Sequence, residues 1–426
     1  FVEQQGYEAE QTDLGIELID EIFSKDFIES NFPIGLPDRE KYAITIEPVM
    51  RFLRGRDHTL ASRIVAGNFL PEKARAKGTE ELEWAFGAAG VDDEARYLAT
   101  LYLEDLAEKM RQYIDSNFEL VRYAEHLCTN AADFDEIEST LSKNPTAIEN
   151  AMLALLDRHL LHTKPDMVAF TVPFPGCLLS ALRCGQYIKK HYPEITVCMG
   201  GGFANTEWRQ LSEPRVFDYV DYITLDDGEL PLMRLIIHKE GRIGDEELLR
   251  TYCRRDGRVK YVDSNLNGMP TQVANDTLPT PNFDGLPLDL YISTADMTNP
   301  MHSLWSCGRW NKLMMAHGCY WAKCAFCDTT LDYIGRYDAP KAATVVDRME
   351  RIATQTGCSG FHFVDEALPP KLLREVCDEI VKRGLMVTFW GNIRFEKAYT
   401  AEMCYLLSQA GCVAVSGGLE VASDRI

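Results

Sequence analysis

The chain has 426 residues, enough for two or three domains at roughly 150 residues each. Hydrophobic residues make up 46% of it and charged residues 26%, which is typical of a globular protein and argues against a disordered one. Its 44 basic and 65 acidic residues leave a net charge of −21. We therefore expect neither a nucleic acid nor an anionic membrane surface as its partner.

The sequence also indicates where the protein works. Residues 167–182 carry no charged residue and are largely apolar, but this stretch contains two prolines and is too short to span a bilayer. The chain opens on Phe1 and shows no secretory pattern, so we expect a cytoplasmic protein whose first residues are missing. In that reducing compartment, 13 cysteines indicate metal or redox chemistry for a few and packing for the rest.

The first half of the chain predicts a helical segment followed by an α/β domain. Residues 1–94 show helical periodicity and no evident chemistry. From residue 95 to 240, apolar runs alternate with amphipathic ones. The predicted strands are residues 97–103, 118–123, 167–172, 195–199 and 219–225, and the predicted helices are 104–116, 147–161, 178–190 and 228–238. Such alternation predicts a doubly wound, mostly parallel sheet of the Rossmann or flavodoxin-like class.

Three loops follow the last three of these strands and are expected on one rim of the sheet, where such sheets bind ligands. They are TVPFPG, GGGFANTE and DDGE, at residues 171–176, 200–207 and 226–229. The glycines Gly200, Gly201 and Gly202 would let a bulky ligand approach the backbone, or would simply form a tight turn. They do not form a G-x-G-x-x-G fingerprint, so a nicotinamide cofactor is not supported.

A linker and a second α/β domain complete the predicted organisation. Residues 241–311 include a stretch rich in Pro, Asn, Asp and Thr and are predicted to connect the domains. From residue 312 to 426 the alternation resumes. The predicted strands are residues 312–316, 360–364, 386–389 and 412–416, and the predicted helices are 339–356, 371–384 and 401–410. This βα repeat is typical of a barrel.

The loop after the first strand of this second domain reads HGCYWAKCAFCD, at residues 317–328, and holds Cys319, Cys324 and Cys327. Thiolates at such close spacing suit an iron–sulfur cluster or zinc. Three cysteines on a [4Fe–4S] cluster leave one iron open to a substrate, whereas structural zinc needs a fourth ligand such as His317 or Cys307. Three core cysteines in one loop would be a poor packing solution.

A three-cysteine loop after the first barrel strand, preceded by a Rossmann-like domain, resembles the radical S-adenosylmethionine enzymes that carry an N-terminal cobalamin-binding domain. The resemblance covers residues from about 95 to the end. It implies a (βα) barrel with six strands, of which this chain reaches about four, so we expect a truncated chain. The family spacing is C-x3-C-x2-C, and here four residues separate Cys319 from Cys324. Phe326 matches the family's aromatic residue near the adenine.

The resemblance also implies binding residues after the later barrel strands. Asp365 and Glu366 would accept hydrogen bonds from the S-adenosylmethionine ammonium, and Asn392 and Arg394 would contact a carboxylate. Beyond the fourth strand, three groups would lie close to the cofactor: Ser416, the glycines Gly417 and Gly418, and Glu420, which would reach the ribose hydroxyls. Each charge taken alone is a solvated loop residue, but their joint placement favours a site.

The family's mechanism is reductive cleavage of S-adenosylmethionine to a 5′-deoxyadenosyl radical. Cobalamin would add methyl transfer, on a rim that includes Thr171, Gly200, Gly201, Gly202, Asp227 and Glu229. The D-x-H-x-x-G signature is absent, so cobalamin would bind without a histidine ligand. The expected partners are a small-molecule or peptide substrate and an electron donor such as flavodoxin or ferredoxin. The alternatives are a radical enzyme without cobalamin and a non-catalytic iron–sulfur or zinc protein.

Overall fold

The computed structural model of the chain describes residues 1–71, 90–120, 125, 134–265, 270–295 and 310–418. These residues form a helical N-terminal part and two separate β-sheets that carry helices. None of the helices in the described ranges combines the length and apolar character that a bilayer crossing requires.

The N-terminal part is helical, as the sequence predicted. Its helices are α1 (Leu14–Ile22), α2 (Lys25–Asn31), α3 (Arg39–Leu53), α4 (Leu60–Ala66) and α5 (Val91–Tyr113). The predicted strand at residues 97–103 is wrong, because these residues lie in the middle of α5. Leu98, Tyr102 and Leu106 recur every four residues and are buried against α3 and α4. The apolar run therefore belongs to a helix that faces a core.

Residues 118–120 of the second predicted strand are irregular, and the remainder of that prediction lies outside the described residues. Two helices follow, α6 (Asp135–Leu141) and α7 (Ala147–Thr163). Thr146 and Glu149 form a capping box at the start of α7, because each side chain accepts a hydrogen bond from the backbone N–H of the other. The predicted helix at residues 147–161 is thus confirmed and continues for two more residues.

The first sheet contains five strands in chain order. They are β1 (Met167–Thr171), β2 (Thr196–Gly200), β3 (Tyr222–Thr224), β4 (Thr251–Arg255) and β5 (Arg258–Val262), and the helices among them are α8 (Leu178–His191), α9 (Gly202–Glu207) and α10 (Glu229–Lys239). Strands β1 to β3 are parallel, so their carboxyl ends meet at one edge as predicted. Strands β4 and β5 form an antiparallel hairpin that extends the sheet. They lie within the predicted linker.

The second sheet has four strands, all parallel and also in chain order. The strands are β6 (Asn311–Leu313), β7 (Gly360–Phe363), β8 (Thr388–Asn392) and β9 (Cys412–Ser416), and the helices are α11 (Asp332–Gly335), α12 (Ala342–Thr356), α13 (Pro370–Arg383) and α14 (Ala401–Gln409). One face of the sheet packs on α12, α13 and α14 in a single apolar core. This is the βα repeat that the sequence predicted.

Candidate functional site

The three cysteines lie on a loop that begins just past β6 and is closed at its base. The backbone N–H of His317 donates to the Asp338 carbonyl (2.9 Å), and the N–H of Asp338 donates to the His317 carbonyl (3.0 Å). We call residues 317–338 the cysteine loop. Gly318 has a φ of +72°, and a Cβ there would lie 2.0 Å from the Arg336 carbonyl oxygen. Only glycine fits this position.

Each cysteine has a defined place in the loop. The N–H of Cys319 donates to the Ile334 carbonyl (3.0 Å), and the N–H of Cys327 donates to the Cys324 carbonyl (3.2 Å). All three are half-buried free thiols. Burial, followed by the charges of Cys324 and Cys319, raises the pKa of the Cys327 thiol, so the other two cysteines lie within electrostatic range of it. Three soft ligands on one loop are the donor set that an iron–sulfur cluster requires. Phe326 lies among them with 69% of its surface exposed.

Asp365 fixes the backbone from which the cysteine loop starts. It follows β7 and is only 3% exposed. Its two carboxylate oxygens accept hydrogen bonds from the backbone N–H groups of Met315 and Ala316, both at 2.8 Å. Burial raises the pKa of Asp365 to about 6 despite these two bonds, which lower it. Both oxygens therefore face the protein's own backbone, unlike the ligand contact expected from the sequence.

Its neighbour Glu366 has the opposite environment. Glu366 is exposed, and its charge is one of the causes that raise the pKa values of Cys327 and Tyr333. The carboxylate therefore lies beside the cysteine loop and is open to solvent. Asn392, at the end of β8, donates from Nδ2 to the Asp365 carbonyl (3.3 Å). Of the two predicted carboxylates, only Glu366 is exposed to solvent.

Arg394 and the loop aromatics form a second contact between the cysteine loop and the end of β8. The Arg394 guanidinium stacks on Trp321, 4.0 Å from the ring centroid, and its Nη1 lies 3.5 Å from Glu396. Glu396 accepts a hydrogen bond from the Tyr320 hydroxyl (2.9 Å). Burial and this bond raise the pKa of Tyr320 to about 12. Arg394 is therefore engaged with the protein at its stacked face, while its buried Nη1 makes no hydrogen bond.

The predicted residues beyond β9 are only partly described. The Ser416 carbonyl accepts a hydrogen bond from the Ile393 N–H (2.7 Å), which ties β9 to the loop after β8. Gly417 lies against the ring of Phe395, which is 72% exposed. Glu420 lies outside the described residues.

The glycine-rich loop after β2 packs on the loop after β1. Gly201 has a φ of +105°, and a Cβ there would lie 2.7 Å from the Val172 carbonyl oxygen. Backbone hydrogen bonds join Val172 to both Gly200 and Phe203. Gly202 similarly approaches the Pro173 carbonyl. Glycine is thus required at positions 201 and 202 because the backbone of the neighbouring loop lies so close. Thr171, on the same rim, is exposed.

Asp227 joins this rim to the cysteine loop. Its carboxylate pairs with the Arg336 guanidinium and lies 3.5 Å from Nδ1 of His317. His317 Nε2 lies 3.1 Å from Asp332, which also pairs with Arg336 at 2.9 Å. Burial alone would lower the pKa of His317, but Asp332 and Asp227 raise it. The rim of the first sheet and the cysteine loop of the second therefore lie side by side.

This four-residue network bears on the zinc alternative. Asp227, His317 and Asp332 are close enough together to hold a cation. Arg336 donates to both carboxylates, however, and thereby supplies the positive charge. Both His317 nitrogens face these carboxylates, so His317 is not free to be a fourth ligand for the cysteines. Cys307 lies outside the described residues. Glu229, the last predicted rim residue, begins α10 and is half-buried.

Sequence reasoning missed the residues that position the loop. Asp332, Arg336 and Asp338 alternate in the string DYIGRYD just after the cysteines, and this charge pattern is the signal that could have identified them. Tyr320 and Trp321 stand between the first two cysteines. The sequence did not single them out, because their partners Glu396 and Arg394 come from a distant loop.

Comparison with known proteins gives a fold. No family model and no curated protein matches the chain. Among solved structures, the chain is similar to OxsB, a cobalamin-dependent S-adenosylmethionine radical enzyme, in its structure with aqua-cobalamin and S-adenosylmethionine bound. The identity is 18%, the TM-score is 0.50, and the match covers 64% of this chain and 38% of OxsB.

A second similar structure is that of TsrM from Kitasatospora setae, a radical S-adenosylmethionine methyltransferase, with tryptophan substrate and aza-S-adenosylmethionine bound. The identity is 19%, the TM-score is 0.47, and the match covers 64% of this chain and 52% of TsrM. The chain therefore spans well under two thirds of either protein. The likeness to OxsB shows that this chain has the fold of the matched part of that enzyme.

Proposed function

We propose that the chain belongs to a radical S-adenosylmethionine enzyme that uses cobalamin. One observation carries the proposal: three half-buried thiols share one loop at the carboxyl end of the first strand of a parallel sheet, beside the rim of a second parallel sheet. Barrel and doubly wound folds both place their sites at such ends. The OxsB-like fold supports the same assignment.

The residues of the cysteine loop take distinct roles in this proposal. Cys319, Cys324 and Cys327 hold a [4Fe–4S] cluster, which when bound supplies the electron that cleaves S-adenosylmethionine to a 5′-deoxyadenosyl radical. Glu366, exposed beside Cys327, accepts a hydrogen bond from the substrate ammonium. Phe326 offers an exposed aromatic face to the adenine. Asp365 holds the backbone before the loop, so the thiols keep their positions.

Cobalamin would bind on the rim of the first sheet and supply a methyl group for transfer. Thr171 is exposed there and Glu229 half-exposed, whereas Gly201, Gly202 and Asp227 are in contact with other parts of the protein. No D-x-H-x-x-G histidine is present, so the corrin ring would be held without a histidine ligand. The substrate would be a small molecule or a peptide, and flavodoxin or ferredoxin would donate the electron.

Electron paramagnetic resonance of the anaerobically reconstituted, reduced protein tests the cluster. We expect a [4Fe–4S] signal that changes when S-adenosylmethionine is added, because the fourth iron is open. Cys319→Ala, Cys324→Ala and Cys327→Ala should each abolish it. Cys404→Ala is the matched control, since Cys404 is an exposed cysteine on α14. Zinc in place of iron, or a signal indifferent to S-adenosylmethionine, would refute the assignment.

Cobalt content tests the rim. Protein purified from cobalamin-fed cells should contain cobalt, and Thr171→Arg should remove it because the larger side chain occupies the exposed rim. Glu194→Arg serves as the control, because Glu194 is exposed at the opposite end of the same sheet, just before β2. Equal cobalt content in both variants would show that cobalamin does not bind on this rim. The paramagnetic signal of the cluster would remain an independent result.

A further inference from the structure

The face of the second sheet that turns away from the helices carries a row of polar and aromatic side chains. Lys312 of β6, His362 of β7 and Trp390 of β8 are paired in register across the sheet. Their sequence neighbours, among them Leu313, Phe361, Phe363 and Phe389, are buried in the helix-facing core. Because side chains alternate along a strand, the row lies on the opposite face.

The three side chains of this row are in direct contact. Lys312 Nζ lies 2.7 Å from His362 Nδ1, and the His362 ring stacks on Trp390 with ring centroids 3.6 Å apart and planes 7° from parallel. An ammonium group can only donate, so His362 accepts at Nδ1 and carries its hydrogen on Nε2. Lys312 therefore keeps two N–H donors, and His362 presents a third.

The row is a positive site without a countercharge from the described residues. Partial burial is the cause that lowers the pKa of Lys312, and no carboxylate in the described part of the chain acts against it. Burial and the Lys312 charge lower the pKa of His362 to about 4, so the imidazole is neutral at pH 7. The chain as a whole has 65 acidic residues against 44 basic ones. An ammonium that the described residues leave without an acidic partner is the complement of an anion.

We propose that Lys312 and His362 bind an anionic group, a carboxylate or a phosphate, of the substrate that reacts at the cysteine loop. The inference rests on the proposed function and adds a substrate class to it. Lys312 precedes His317 by five residues, so at about 3.3 Å per residue the group lies up to roughly 16 Å from the base of the loop. The substrate is thus an anion whose charge is remote from its reacting atom.

The test must distinguish an added anion from a carboxylate elsewhere in the chain, because either one would pair with Lys312. Competitive acetylation of the full chain, read by peptide mass spectrometry, measures the reactivity of each lysine. Inorganic phosphate and succinate are added in turn, with chloride at equal ionic strength as the reference. A bound anion slows acetylation in proportion to its occupancy of the site.

We expect Lys312 to react at least about threefold more slowly in phosphate, in succinate or in both than in chloride. The salt that protects Lys312 identifies the bound anion as a phosphate or a carboxylate. Lys371, which is 92% exposed at the start of α13, should react equally in all three. His362→Phe keeps a ring to stack on Trp390 but removes both nitrogens, so it should lose most of the protection.

Two results would overturn the proposal. One is a Lys312 that reacts at the same rate in all three salts, and the other is a Lys312 that is unreactive in all of them because a carboxylate of the chain already pairs with it. Undiminished protection in His362→Phe would exclude His362 from the site. Acetylation requires no cluster, so a negative result here is distinct from a missing paramagnetic signal.

Discussion

Asp365 connects two neighbouring strands of the second sheet through their ends. It is buried, and it accepts hydrogen bonds from two consecutive N–H groups just past β6. Two charge-assisted bonds to one carboxylate fix both the position and the direction of the chain that enters the cysteine loop. The residue beside it, Glu366, is free to meet a ligand because it is exposed. Of these adjacent carboxylates, Asp365 supports the loop, and Glu366 is the one to which our proposal assigns ligand binding.

Replacing Asp365 by alanine should leave the N–H groups of Met315 and Ala316 buried without partners. Each unsatisfied group costs about 1–3 kcal/mol, so we expect the free energy of unfolding to fall by several kcal/mol and iron incorporation to decline with it. Chemical denaturation and iron analysis measure the two effects. Asp378→Ala, at an exposed position of α13, should change neither. A wild-type stability for Asp365→Ala would show that the two bonds are dispensable.

The pKa of Asp365 also predicts a pH dependence. Folding raises this pKa from the ordinary value of 3.8 to about 6, so the folded state binds the proton more tightly than the unfolded state. The stability that Asp365 contributes is therefore full below pH 4 and is lost as the pH rises through 6. The difference in unfolding free energy between the wild type and Asp365→Ala should shrink over this interval. A difference that stays constant from pH 4 to pH 7 would contradict the raised pKa.

At the scale of elements, one buried ion pair joins α6, α7 and α8. Arg183 of α8 donates to Glu149 of α7 at 2.8 Å and to the carbonyls of Leu141 (2.7 Å) and Thr140 (3.0 Å) at the end of α6. Both charged side chains are nearly inaccessible to solvent. The guanidinium thus satisfies the exposed carbonyls at the end of one helix and the capping carboxylate of the next.

Arg183→Met should leave the buried Glu149 carboxylate without a countercharge. Breaking a buried pair in this way costs about 3–5 kcal/mol, which a denaturant titration would detect as a lower midpoint. Arg158→Met, on the exposed side of α7, is the control and should have little effect. Adding Glu149→Met to Arg183→Met should restore part of the loss, since the unpaired charge is then gone. A double variant no more stable than Arg183→Met would argue against this cause.

Element types were predictable where the apolar period was unambiguous. The strands of the second sheet and helices α7, α8 and α10 follow their predicted positions within a few residues. The helical state of residues 97–103 was not predictable, because six apolar residues and one threonine in a buried helix look like a buried strand. The β4–β5 hairpin was missed although Asp256 and Gly257 form a strong hairpin turn signal. The turn signal was present in the sequence, but these residues were assigned to the predicted linker.

At the scale of the whole molecule, the contact between Asp227 and Arg336 brings two sheets to one place. The cysteines and rim loops were visible in the sequence because they are local motifs. Their proximity was not, since Asp227 and Arg336 are separated by 109 positions. The same holds for Lys312 and His362, which meet only because β6 pairs with β7. Pairing across the chain is set by tertiary packing, which no local pattern specifies.

Asp227→Asn tests this contact. Loss of the charge weakens hydrogen bonds that contribute roughly 1.5–3 kcal/mol when charged, so amide hydrogens of residues 317–338 should exchange about tenfold faster. Native-state hydrogen exchange with mass spectrometry measures this. Asp256→Asn, at the exposed β4–β5 turn, is the control and should leave the cysteine loop unchanged. Unaltered exchange in Asp227→Asn would show that the loop is held by its own closure alone.

The closed base of the cysteine loop has a consequence for how such sites can vary. Because His317 and Asp338 pair with each other, the entry and exit of the loop are fixed whatever number of residues lies between them. The four residues between Cys319 and Cys324 are one more than in the C-x3-C-x2-C spacing, and this difference is therefore a local change. Ala322, one of the four, adopts a left-handed φ of +45°. We expect the segment to behave as an interchangeable insert, which can be lengthened, shortened or exchanged between related chains while the sheet beneath it stays the same.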